Sequence, residues 1–185
     1  MLIAKNKRKE NIAEYVLYMW QIEDLLRALN FDGDSIFRTL VEPLNVSEDK
    51  KQEVFFWYMG IINILKEEKK EISGHNYHSL HIVRELNDVH LYLLKKDSRY
   101  NSLFLAAQGD IDLFREKSSK NSNDIEIAFD ALYAKLLLKM KHEQISDETS
   151  AAFDRITSLI AYLSAKFHRF EHGEEEMKFD TDETS

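Results

Sequence analysis

Residues Val54 to Leu65 read VFFWYMGIINIL: twelve positions without a charge. Lys50, Lys51, Gln52 and Glu53 open the run, and the charged stretch Lys66 to Glu71 closes it. Wound at about 100° per residue, the apolar side chains point nearly all the way round, with Gly60 and Asn63 on the weakest sector. A helix that is apolar on every side calls for neighbours on every side, so this segment is expected at the centre of a bundle. Burying each large side chain is worth roughly 1.5–3 kcal/mol, and the segment therefore supplies much of one core.

Working outward, one Pro and five Gly in 185 residues leave little punctuation. Sheets joined by tight turns need more of both, so long helices with short polar connections follow. The expectation is an all-α helical bundle of six long helices and one short. Residues 1–172 form its single domain and residues 173–185 a disordered acidic tail.

Residues Glu10 to Leu29 form the first strong helix. Ile12, Tyr15, Met19, Ile22, Leu26 and Leu29 recur at spacings of three and four. After the NFDGD turn at Asn30–Asp34, Asp34 or Ser35 caps a short helix that Pro43 ends. Ser47 caps the central helix, which continues to about Ile72, where Ser73-Gly74 supplies a stop. Helices then follow over Asn76–Lys96 and Ser98–Lys117, parted by a thin break at Asp97-Ser98 with one continuous helix as the alternative, the second with a C-cap and fresh start as an alternative at Gly109. Lys117–Asn123 is a surface loop. Asn123 and Ser146 cap the last two helices, Asp124–His142 and Asp147–Glu171.

The opening KRKENIAEYVLYMWQIEDLLRAL, residues 7 to 29, resembles the start of a family of all-helical bacterial proteins classed as a domain of unknown function. The resemblance implies a helical fold and a bacterial cytoplasmic setting. It implies no activity, cofactor or catalytic residue.

Composition excludes several classes. With no Cys, the chain has no disulfide framework, thiolate metal site or cysteine nucleophile. MLIAKNKRKE places a very short apolar run before its charges, the reverse of a secretory leader. Twelve uncharged residues fall short of the roughly twenty that a spanning helix needs. A cytoplasmic protein with no membrane contact is expected. The formal charge of −8 is uneven: residues 171–185 carry −6, leaving the rest near neutral at −2. Nucleic acid is a poor partner for that balance, although Lys5, Lys7, Arg8 and Lys9 cluster at a terminus read as solvated and frayed.

Two constellations have the right residue types for a site. His78, His81, Glu85 and Asp88, with His75 nearby, share one polar arc of a helix at i,i+3 and i,i+4 spacing, a half-site for a divalent metal built on His78, His81 and Glu85. The spacing matches neither the Glu-x-x-His pairs of di-iron bundles nor His-Glu-x-x-His, and the same arc reads as a solvated face. Glu23 and Arg27, beside Trp20 and Tyr15, either line a pocket for a small polar ligand or form a boundary ion pair. His90 is expected in or beside the core with one satisfied nitrogen. No phosphate loop, nucleophile elbow or basic recognition helix is present, and no cofactor is expected. The leading expectation is a non-enzymatic bundle that acts as a homodimer or with a protein partner, because an all-round apolar helix needs cover. The alternative is a metal- or ligand-binding bundle, possibly hydrolytic, built on the His/Glu cluster.

Overall fold

The computed structural model describes residues 2–118 and 122–177. Among them lie eight α-helices, one π-helical turn and no strand. The six long helices are α2 (Ile12–Ala28), α4 (Glu48–Glu67), α5 (Tyr77–Lys96), α6 (Ser98–Ser118), α7 (Asp124–Met140) and α8 (Asp147–Glu171). Two are short, α1 (Leu2–Glu10) and α3 (Gly33–Ile36), and a π turn at Phe37–Val41 continues α3 towards Pro43. No helix of the described residues is long and apolar enough to cross a membrane.

The chain divides into two compact units, Met1–Ile82 and Val83–Ser185, with the division falling inside α5. In the first, Met19, Ile22 and Leu26 of α2 pack with Tyr58, Ile61, Ile62 and Leu65 of α4, and Ile36 and Val41 close one end. In the second, α6, α7 and α8 pack on one another. Their buried residues include Tyr100, Phe104, Ala107 and Ile111 of α6, Ile125, Ala128 and Phe129 of α7, and Phe153, Ile156, Ile160 and Leu163 of α8. A two-pronged pair between Arg155 and Asp110, at 2.7 and 2.9 Å, ties α8 to α6.

Several expectations need correction. The amino-terminal residues are not frayed: α1 is a helix, its Ala4 is buried, and Lys7 bonds Glu14 of α2 at 2.7 Å. Asn11 then breaks the chain, its side chain accepting from the Ala13 and Glu14 amides to start α2. Asp32 caps α3 in place of Asp34 or Ser35. Ser47 does precede α4, but its side chain makes no cap bond. Asn123 and Ser146 cap α7 and α8 as expected. Gly109 interrupts nothing, since α6 runs unbroken to Ser118. Of the expected loop at Lys117–Asn123, residues 119–121 lie outside the described residues, as do residues 178–185 of the acidic tail. Within that tail Glu175 pairs with Lys166 and Arg169 of α8, each at 2.9 Å.

The larger correction concerns α4. It buries one face: Tyr58, Ile61, Ile62 and Leu65 are covered, while Phe56 is 68% and Ile64 43% exposed. It is not sheathed on all sides. It also stops at Glu67, five residues before the expected end. The Lys70 amide reaches the Leu65 carbonyl and the Lys69 amide that of Lys66, with Lys69 at φ +56°. That is a Schellman stop with lysine where glycine is usual.

Candidate functional site

The polar centre of the first unit is Glu23, on the buried face of α2 and fully covered. A buried carboxylate is costly unless its lone pairs are engaged. Here His75 Nδ1 lies 2.9 Å from Oε2, and the Asn76 side-chain amide donates to Oε1 at 2.5 Å. The His75 ring stacks on Trp20, centroids 3.9 Å apart and planes within 3°. Asn76 in turn caps α5: its Oδ1 accepts from the Ser79 amide at 2.8 Å, while Ser79 Oγ donates back to the Asn76 carbonyl at 3.0 Å. Trp20 Nε1 completes the set by donating to Ser79 Oγ at 3.2 Å.

Arg27 lies on the same side of α2 but is not the partner of Glu23. It bonds Asp24 at 2.6 Å, the Lys70 carbonyl at 3.0 Å and the Gly74 carbonyl. The i,i+4 pair expected between Glu23 and Arg27 is therefore absent. Both side chains instead hold the segment between α4 and α5 against α2, Glu23 by its end and Arg27 by its backbone. Asn76 and Ser79 were not singled out by periodicity, and His75, grouped in the sequence with the candidate metal ligands, serves instead as a partner of Glu23. The signal was available in part, because an Asn at the head of a helical pattern is a preferred N-cap residue.

Tyr15 belongs to a different feature. It lines a cleft of about 410 Å³ formed by α1, α2 and α4. Ala4, Met19 and Trp57 give its apolar surface, and Lys5, Arg8 and Lys9 of α1 its charged side. Burial pushes the Tyr15 hydroxyl above its ordinary value; the Arg8 guanidinium pulls it back, and the Glu23 carboxylate adds to the rise. The four expected ligand residues thus divide between two places. Tyr15 faces the cleft, whereas Trp20, Glu23 and Arg27 build the buried latch behind it.

His78, His81 and Glu85 are all exposed on α5. The His78 ring meets Tyr15 edge-on at 6.3 Å. Among the described residues no group of three or more His, Asp or Glu side chains is disposed to hold a metal ion. In the second unit His90 is buried, with its Nδ1 2.7 Å from the Tyr100 hydroxyl. Its Nε2 has no hydrogen bond and lies 3.8 Å from Asp124. The nearby carboxylate favours the ring proton on Nε2, so Tyr100 donates to Nδ1. Burial lowers the His90 pKa and Asp124 opposes that, leaving the ring neutral.

A family model described as a domain of unknown function, DUF4924, matches residues 1–174, nearly the whole described chain. The protein belongs to the DUF4924 family. The resemblance noted at residues 7–29 therefore extends over both units. No curated protein and no solved structure matches the chain.

Proposed function

We propose that this DUF4924 protein is a non-enzymatic cytoplasmic bundle that works as a homodimer, with the open face of α4 as the interface. The observation that carries the reading is the trio Phe56, Gly60 and Ile64, spaced i,i+4,i+8 along one exposed ridge. A Cβ on Gly60 would meet nothing within 4 Å, so packing within the chain does not require glycine there. Yet glycine inside a helix costs about 1 kcal/mol relative to alanine. A ridge of large residues notched by glycine suits a second helix crossing at the notch. Two copies of the same ridge can do this reciprocally, Phe56 of each against Ile64 of the other, which is the self-complementary contact of a two-fold dimer. The same arrangement recurs on α6, where Leu105 and Leu113 are 63% and 56% exposed around Gly109, again with open space at the Cβ position. The reading calls for no cofactor.

Sedimentation and native mass spectrometry of Gly60→Leu test it. A leucine at an open helix surface should leave the monomer at least as stable, gaining up to about 1 kcal/mol of helix propensity. It should block the crossing. The expected result is a wild-type dimer at micromolar concentration and a monomeric, fully folded variant. A wild-type monomer at that concentration, or a dimer untouched by Gly60→Leu and Phe56→Asp, overturns the proposal.

A further inference from the structure

The cleft formed by α1, α2 and α4 lies within the first unit, and none of Phe56, Gly60 and Ile64 lines it, so it is separate from the proposed dimer ridge. Charge does not choose its occupant. Arg8 and Lys9 have partners within the chain, and Lys5 is exposed to water. The rest of the lining is apolar: Ala4 and Met19 are buried, and Tyr15 and Trp57 are half-buried. Two ring side chains and a thioether around one space favour a flat aromatic body, through ring–ring and sulfur–ring contacts. At about 410 Å³ the volume falls among small-molecule sites. One polar group is left over. Among the described residues the Tyr15 hydroxyl has no hydrogen-bond partner, although burial is enough to hold its proton above the ordinary range. A tyrosine hydroxyl withdrawn from water normally finds one.

We propose that this cleft binds a small, uncharged aromatic molecule with one oxygen substituent, its ring against Trp57 and Met19 and its oxygen accepting from the Tyr15 hydroxyl. An ionised ligand would give up its hydration for an apolar lining whose Arg8 and Lys9 are already engaged. A saturated ring of the same outline would keep the hydrophobic gain but forfeit the ring–ring contact, a factor of about two to ten in affinity.

Calorimetric titration of the full chain tests the assignment. The probes are naphthol, methylnaphthalene, decahydronaphthol and naphthoate, all substituted at the same ring position. Naphthol should bind saturably at one per chain, about twofold or more tighter than decahydronaphthol and about tenfold or more tighter than naphthoate. Tyr15→Phe should weaken naphthol by about three- to tenfold and leave methylnaphthalene unchanged, a difference that a general loosening of the fold would not produce. Trp57→Leu should weaken both, with circular dichroism confirming that it is folded; should it not fold, Tyr15→Phe carries the test alone. The proposal is overturned if naphthol does not saturate, or if decahydronaphthol or naphthoate binds as tightly. It is overturned equally if Tyr15→Phe leaves naphthol binding intact or weakens methylnaphthalene as much, or if folded Trp57→Leu binds as wild type.

Discussion

Replacing Glu23 with alanine removes the acceptor on which the α4–α5 connection rests. Two strong contacts are lost, from Asn76 Nδ2 at 2.5 Å and from His75 Nδ1 at 2.9 Å. Hydrogen bonds to a charged group are worth about 1.5–3 kcal/mol each. Relief from burying a carboxylate offsets part of that loss. Against the relief stands the Asn76 amide, which is only 5% exposed and would be left without its acceptor, at about 1–3 kcal/mol. The net expectation is about 3–5 kcal/mol of destabilisation, as found when one partner of a buried pair is removed. That is a large share of the roughly 5–15 kcal/mol that holds a domain folded. Urea unfolding followed by circular dichroism measures it. Glu23→Gln, which keeps an oxygen for Asn76, should lose about half as much. Hydrogen exchange should quicken first across residues 68–79, because Asn76 and Ser79 start α5 and depend on Glu23. A cost below about 1 kcal/mol, the worth of a surface ion pair, would refute the latch and return Glu23 to the boundary role that its spacing with Arg27 suggested.

Arg27→Ala should cost less, about 1–2 kcal/mol, because the freed carbonyls of Lys70 and Gly74 lie where water can replace the guanidinium; urea midpoints at fixed slope check it. In the second unit His90 has a lowered pKa, so below about pH 6.5 the unfolded chain takes up a proton that the folded unit resists. Stability is therefore full above that pH and declines as pH falls towards the folded pKa, by at most about 1.4 kcal/mol per pH unit. Urea midpoints for wild type and His90→Gln between pH 7.5 and 5.5 should diverge, the variant showing the shallower loss. Parallel curves would mean that His90 titrates in the native unit.

What could be read from the sequence was whatever rests on local periodicity. The three- and four-residue spacing from Ile12 to Leu26, the caps at Asn123 and Ser146 and the break at Asp97 depend on neighbours within one turn, and the fold keeps all of them. Glu23 shows where that reading stopped. Its i,i+4 partner Arg27 was visible, but the groups that satisfy it lie 52 and 53 positions away. No pattern within a helix encodes such a pairing, and a fully buried carboxylate takes the donors its surroundings offer. The same limit applies to α4. Twelve apolar positions establish a helix but do not establish how many neighbours it has, and Phe56 and Ile64 face outward.

The glycines show how the end of α4 escaped notice and why two positions inside helices matter. Four helices end in the same left-handed turn, with Asn30, Lys69, His142 and Gly173 at positive φ after α2, α4, α7 and α8. Only one of these is the residue that normally announces a stop. A non-glycine residue there gives up conformational ease, and the capping bonds repay it by satisfying carbonyls that the helix end would leave open. Glycine is thus withheld from three of four places where it would relieve the backbone. It is placed instead at Gly60 and Gly109, mid-helix, exposed and with open space around the missing Cβ. Within the folded chain those two positions carry only a cost. The dimer proposed on α4 would place a second helix close between Phe56 and Ile64, and Gly60→Leu separates that contact from mere tolerance of a weak helix position.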